Sequence, residues 1–225
     1  MNLLSGDDLA AIWLSIRVAG VATLVVLPIA LAVAHLLARR RFPGRALLDA
    51  LTHLPLVLPP VATGYLLLVL FGRQGPIGAL LARVGVVLAF HWTGAALAAG
   101  VMAFPLVVRP IRLSIEAIDR EVDDAALTLG AAPLARFLRV TLPLAAPGVI
   151  AGAVLGFARA LGEFGATITF VAAIPGETLT LPSAIYLATQ SPEGETRALV
   201  LCGVSLIIAF TAILAGEAIG RRARR

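Results

Sequence analysis

Residues 18–38 read VAGVATLVVLPIALAVAHLLA, and residues 39–41, which follow, are all arginine. The run carries no charge. At 1.5 Å per helical residue it is long enough to cross a hydrocarbon core of ~30 Å. Only a helix or a closed barrel satisfies its own backbone in lipid, and an unbroken apolar run of this length is helical. Four more runs share its character: Leu54–Phe71, preceded by the more polar Ala46–His53, then Val84–Val108, Ala145–Ala173 and Ala198–Ile219. A sixth stretch, Leu179–Ala188, is too short to span and contains Pro182. It reads as a partial or re-entrant helix. The expected fold class is all-α: a polytopic membrane protein with five full transmembrane helices plus this partial one, a possible sixth, all in a single domain over residues 1–225.

Composition agrees. Of 225 residues, 60% are hydrophobic and 14% charged, where a soluble domain has about a quarter charged. The net charge is +5 and all 18 basic residues are arginine. Without lysine there is no P-loop to hold nucleotide phosphates and no lysine Schiff base. The one cysteine, Cys202, excludes an intrachain disulfide and multi-cysteine metal sites. His35, His53 and His91 lie far apart, in or beside apolar runs, and read as packing or interfacial residues. No metal site is expected. There is no G-x-S-x-G elbow, no H-E-x-x-H helix and no intramembrane carboxylate pair, so the chain does not read as an enzyme.

Arginine placement sets the orientation, because cytoplasmic loops carry the excess of basic residues. One set of loops holds thirteen: Arg39, Arg40, Arg41 and Arg45, then Arg109, Arg112, Arg120, Arg136 and Arg139, then Arg221, Arg222, Arg224 and Arg225. The opposite set holds three: Arg73, Arg83 and Arg197. This places the N-terminus outside and the 109–143 loop and the C-terminus in the cytoplasm. A cleaved signal peptide has its positive charge before the apolar run. Here Asp7 and Asp8 precede the run and three arginines follow it, so no cleavage is expected. Leu9–Arg17 is expected to lie along the outer interface, anchored by Trp13, before the chain turns into the bilayer.

The second run opens with HLPLVLPP, residues 53–60. Pro55, Pro59 and Pro60 each remove a backbone donor and clash with the preceding turn, so a kinked or broken helix is expected near its cytoplasmic end. Two readings stay open. The prolines start a helix in its first turn, or they leave irregular backbone lining a wet cavity.

Residues 109–143 are too many for a simple connector, which is usually ~2–8 residues. Asp119 can cap a helix from Arg120. Asp124, Ala125 and Ala126 follow, and Gly130 suits a left-handed helix stop. Pro133 suits the first turn of a second short helix. That helix is expected to carry Leu134, Phe137 and Leu138 on one face, with Arg136 and Arg139 beside them, before Leu142 and Pro143 lead into the fourth run. The spacing Asp-Ala-Ala, three residues, Gly, nine residues, Val-Thr-Leu-Pro resembles the EAA loop of ABC importer permeases. In that family the pattern begins with Glu and has Ile at the valine position; Asp124 and Val140 keep the chemistry. The segments HLPLVLPPVATGYLLLVLFGRQGPIG (53–78), VMAFPLVVRPIRL (101–113) and FARALGEFGATITFVAAIPGET (157–178) are similar to the molybdate branch of that family, over nearly the whole chain.

The resemblance implies a type I ABC importer permease in the bacterial cytoplasmic (inner) membrane. It implies a homodimeric translocation pathway in contact with membrane lipid, an ABC ATPase subunit, an extracytoplasmic molybdate-binding protein, and no nucleic acid. No cofactor would be bound by this chain; ATP and Mg would sit in the ATPase subunit. Coupling would be carried by Asp124, Ala125, Ala126, Gly130, Leu142 and Pro143. A sulfate, thiosulfate or tungstate permease of the same architecture is the alternative.

Arg159 falls in the middle of the fourth run, with Glu163 four residues later on the same helix face. A charge at the bilayer centre costs roughly 2.5–3.5 kcal/mol, which pairing would lower. The order, Arg before Glu, is the less favourable one for a helix dipole. Gly162 and Gly165 flank the glutamate and leave room for a second backbone. The pathway and gate candidates are therefore Arg159, Gly162, Glu163, Phe164, Gly165, Pro59 and Pro60. Arg159 either meets an oxyanion in transit, parts from Glu163 when a gate moves, or forms a permanent packing pair. The binding protein is expected to dock on the outer loops Gly72–Arg83 and Ile174–Arg197.

Overall fold

A computed structural model describes residues 4–128 and 130–223; the side chains of Arg120, Asp123, Asp124, Arg222 and Ala223 lie outside that description, as do Leu129, Arg224 and Arg225. The described chain is helical, with no strand among the described residues. Three helices are long and apolar enough to cross a membrane: α1 (Gly6–Arg39), α5 (Trp92–Glu116) and α12 (Glu195–Ala223). Two bent pairs bring the number to as many as five if each pair is one span. One is α2 (Arg45–Val57) with α3 (Pro60–Phe71), bent by 115°. In the other, residues Pro133–Leu144 meet α9 (Ala146–Leu161) at 71°. Short helices fill the connections: α4 (Pro76–Arg83), α6 (Arg120–Thr128), α7 (Pro133–Arg136), α8 (Leu142–Leu144), α10 (Gly165–Val171) and α11 (Leu181–Thr189).

The centre is α5 with α1 and α9 against it, and it is built of small residues. α1 turns Ala11, Ser15, Ala19, Ala22, Ala30 and Ala34 inward, and α5 answers with Ala95, Ala98, Ala99 and Ala103, all buried. α9 presents Gly148, Gly152 and Gly156 at four-residue steps. A Cβ on Gly148 would sit 2.5 Å from the Pro110 carbonyl oxygen, one on Gly152 2.8 Å from that of Val107, and one on Gly156 2.5 Å from the Val107 side chain. Apolar surface gains little from leaving lipid, so close backbone contact is what holds such helices together. The outward faces keep large apolar side chains: Leu24, Val25 and Ile29 of α1, and Leu206, Ile207 and Phe210 of α12, are all exposed.

Three boundaries differ from the sequence reading, and one break falls where it is expected. Leu9–Arg17 is not a separate interfacial segment; it is the start of α1, one helix of 34 residues. The reason is Asp8. It forms a capping box with Ser5 at the first turn, and its charge is met by Arg197 at 2.6 Å. The third run was expected over Val84–Val108, but its helix begins at Trp92 and runs to Glu116. Gly85 (φ 78°) and Phe90 (φ 58°) turn the chain before it, and Arg112 stays in the helix because Asp49 (2.8 Å) and Glu116 (2.9 Å) both pair with it. The loop at 109–143 is shorter to that extent. The break expected in the second run falls at Leu58–Pro59, and the twelve residues of α3 span only ~18 Å. The fourth run stops at Leu161 instead of continuing to Ala173.

Candidate functional site

The two breaks meet. Gly165, the first residue of α10, is so close to Pro60, the first residue of α3, that a Cβ on the glycine would lie 2.6 Å from the proline Cβ. One turn on, a Cβ on Gly64 of α3 would lie 2.4 Å from the Ala166 carbonyl oxygen of α10. The prolines that break α2–α3 and the glycines that interrupt α9–α10 therefore build one junction. The room expected at Gly165 is used by α3. Gly162 is different: a Cβ there would meet only the Ala158 oxygen of its own helix, at 3.8 Å, and the residue is exposed. Pro59 and Pro60 are exposed as well.

Arg159 and Glu163 brace this junction. Arg159 Nη1 lies 2.6 Å from Glu163 Oε2; the arginine side chain is 27% exposed and that of the glutamate 2%. The backbone breaks between them. Arg159 stands in the last turn of α9 and Glu163 precedes the first turn of α10, where Ala166 N–H donates to Glu163 Oε1 at 2.8 Å. A cation near a helix C-terminus and an anion near an N-terminus both complement the helix dipole. The unfavourable order expected within one continuous helix is thus corrected: with two helices, each charge sits at the end that stabilises it. Thr167 Oγ1 donates to the Glu163 and Phe164 carbonyls, each at 3.1 Å, further holding the turn. The Phe164 ring meets Tyr186 of α11 with centroids 5.0 Å apart.

The second candidate region is the connection between α5 and α9. Glu121 N–H donates to Asp119 Oδ1 at 3.1 Å, starting α6. α6 ends on Gly130 in the left-handed region (φ 75°), where Gly130 N–H bonds the Leu127 carbonyl (2.9 Å) and Ala131 N–H reaches back to Ala126 (3.1 Å). This pair of bonds satisfies carbonyls that the helix end leaves open. Asp124 and Ala125 lie on α6; the Asp124 side chain is outside the described residues. Pro133 starts the next helical stretch, which continues as a π-helix over Phe137–Thr141 and then α8, with Leu142 half-buried and Pro143 exposed. The π turn splits the face expected to carry Leu134, Phe137 and Leu138 together. Leu134 (68%) and Leu138 (50%) are exposed, while the Phe137 ring packs edge-on against His35 of α1, centroids 5.0 Å apart.

On the face expected outside, several contacts have no counterpart in the sequence reading. Arg197 donates from Nε (2.9 Å) and Nη2 (2.6 Å) to Asp8 Oδ1, tying the start of α12 to the start of α1. Leu181 N–H donates to Ser15 Oγ at 2.6 Å, docking α11 on α1. The Arg17 guanidinium stacks on the Trp92 ring at 3.8 Å. A polar residue at helical spacing inside an alanine stripe, Ser15, was the one available signal. The three histidines do not converge, and no group of metal-ligating side chains occurs among the described residues.

Residues 25–225 match the family described as binding-protein-dependent transport system inner membrane component. The chain is 52% identical over 223 residues to the molybdenum transport system permease protein ModB of Escherichia coli (strain K12), covering 99% of this chain and 97% of that one. It is 39% identical over 197 residues to the sulfate transport system permease protein CysW of Synechococcus elongatus, covering 86% and 69%. A solved bacterial alginate ABC transporter, crystallised with a pentasaccharide-bound periplasmic protein, superposes with a TM-score of 0.77 at 18% identity, covering 97% of this chain and 80% of that one. At that identity the likeness is one of fold.

Proposed function

This chain belongs to the family of binding-protein-dependent transport system inner membrane components, and on that premise we propose that it is the permease subunit through which an ABC importer passes molybdate. The observation that carries the substrate is the 52% identity to a molybdenum permease across nearly the whole chain, against 39% over a shorter span for a sulfate permease. Two copies would enclose the pathway in the cytoplasmic membrane, with the N-terminus outside and the C-terminus inside. An ABC ATPase and an external molybdate-binding protein complete the machine. ATP and Mg belong to the ATPase.

The mechanism is alternating access, driven by differential contacts in two states. A loaded binding protein docks on the outer loops, Gly72–Arg83 and Ile174–Arg197. ATP closes the ATPase dimer and carries the 109–143 coupling loop with it. Asp124, Ala125, Ala126 and Gly130 seat α6 on the ATPase, and Leu142 and Pro143 pass the motion to α9 through the 71° bend. At the other end of α9 the motion reaches the α3–α10 junction. There Arg159, Gly162, Glu163, Phe164, Gly165, Pro59 and Pro60 form the pathway and its gate. Transporter sites in general use discontinuous helices for this purpose. Arg159 is the only one of these side chains able to attract an oxyanion, and its partner Glu163 keeps that attraction weak enough for release.

The test is uptake by the reconstituted complex of permease, ATPase and binding protein. ATP-dependent accumulation of radiolabelled molybdate, outcompeting sulfate and thiosulfate, is expected. Equal uptake of sulfate would move the chain to the sulfate branch, and a tungstate preference would reassign the cargo.

A further inference from the structure

Between the end of α1 and the start of α2 the chain makes a short basic turn. Arg39 closes α1, Arg40 is extended (φ −109°, ψ 139°), Gly44 is left-handed (φ 92°), and Arg45 opens α2. The turn encloses a concave site of about 270 Å³ lined by Arg39, Arg40, Arg41 and Arg45, with Glu116 and Ile118 of the α5 end as its floor. The turn is held in shape: Arg45 Nε donates to the Leu37 carbonyl at 3.2 Å and Arg39 Nη2 to that of Ile118 at 3.1 Å. The described carboxylates at its edge are already engaged. Arg112 occupies both Glu116 (2.9 Å) and Asp49 (2.8 Å). Among the described residues no carboxylate pairs with Arg40, Arg41 or Arg45.

We infer that this arginine turn binds the phosphodiester headgroup of an anionic phospholipid from the adjoining leaflet. The site stands where the uncharged run of α1 ends, at headgroup depth, with exposed Leu36 and Leu47 beside it. A second, almost wholly apolar cavity of about 440 Å³ lies between the same three helices, α1, α2 and α5, lined among others by Ile29, Leu51, Pro55 and Phe104. Ile29 and Arg39 lie on one helix ~15 Å apart at 1.5 Å per residue, which is half a hydrocarbon core of ~30 Å. The near end of the groove, at Ile29, Leu51 and Pro55, is therefore within reach of an acyl chain whose headgroup sits in the arginine turn, while its far end, at Val21, Leu88 and Thr93, lies deeper. A free oxyanion would use the arginines but not the groove. Basic pockets between membrane helices on the cytoplasmic side bind anionic headgroups by the same electrostatics. The inference rests on the reading of the chain as membrane-spanning and on no particular transported ion.

Native mass spectrometry of the full chain in detergent, titrated with phosphatidylglycerol or phosphatidylcholine, tests it. Phosphatidylglycerol should be retained at least about tenfold better. Arg40→Gln/Arg41→Gln/Arg45→Gln should abolish the preference. Leu51→Trp, which fills the groove and leaves every arginine, should also lower retention. Equal retention of the two lipids, unchanged retention in either variant, or displacement by millimolar phosphate or molybdate would each overturn the assignment; the last would make it a soluble oxyanion site. Retention is read without ATP or cargo, so an error about the transported ion leaves this result unchanged.

Discussion

Arg159 and Glu163 face each other across a break in the backbone, the guanidinium closing α9 and the carboxylate capping α10, with 2.6 Å between them. The pair is unequal: Glu163 is sealed from solvent, while Arg159 retains an exposed edge. Removing the arginine strands a buried anion, and removing the charge of the glutamate leaves a cation that water can reach. Stranding a buried charge costs about 3–5 kcal/mol. Arg159→Ala should therefore lower the thermal unfolding midpoint in detergent more than Glu163→Gln, which keeps an acceptor for Ala166 N–H. If the pathway reading holds, Arg159→Lys should restore stability more fully than uptake. Should Arg159→Lys recover both in step, Arg159 is a brace and nothing more.

Gly130 has open space around the position of a Cβ but a backbone that side chains disfavour (φ 75°). Gly130→Val therefore meets only conformational strain, about 1–2 kcal/mol, confined to the end of α6. The variant is expected to reach the membrane in normal amount and to lose ATP-driven uptake. Gly130→Asn, which tolerates the left-handed region, should keep much of it. Normal uptake by Gly130→Val would remove the residue from the coupling role.

The glycines of α9 should be intolerant of any enlargement. Gly152→Leu drives side-chain atoms into the Val107 carbonyl, and Gly156→Leu into the Val107 side chain. Overpacking commonly costs about 1–3 kcal/mol, and here backbone must also move. Both variants are expected to fail size-exclusion as folded protein. Gly20→Ala and Gly203→Ala, with nothing within 4 Å of the new carbon, are the matched controls and should behave as the parent.

Asp8 and Arg197 tie the first helix to the last. Asp8 is 1% exposed and Arg197 44% on their side chains. Arg197→Ala is expected to destabilise by about 2 kcal/mol, below the ~3–5 of a fully buried pair, because water reaches the arginine and Ser5 still bonds the carboxylate. Arg197→Lys should recover part of that loss. An unfolding midpoint unchanged by Arg197→Ala would show that the contact contributes nothing.

The sequence carried the fold as far as its signals are local. Unbroken apolar runs place the crossings, and Pro59–Pro60 announces one break because proline acts on its own helix. The other break was hidden. Gly162–Phe164 interrupts a run that stays apolar on both sides, and Arg159 with Glu163 mimics an ordinary i, i+4 pair. The beginning of α1 was misread for a related reason: Asp7, Asp8 and Arg17 look like an interface until Arg197 and Trp92, far along the chain, are brought to them. The glycine stripe of α9 went unread, although its four-residue period is explicit in the sequence.

That stripe also bears on how α9 could travel. α5 fills the notches these glycines leave, with Ser114 over Gly148, Ile111 over Gly152 and Val107 over Gly156. The notches recur every four residues, ~6 Å along the axis at 1.5 Å per residue, so axial travel would have to lift those side chains out and reseat them one notch on. α5 would then act as a ratchet, holding its neighbour in discrete seats instead of letting it glide.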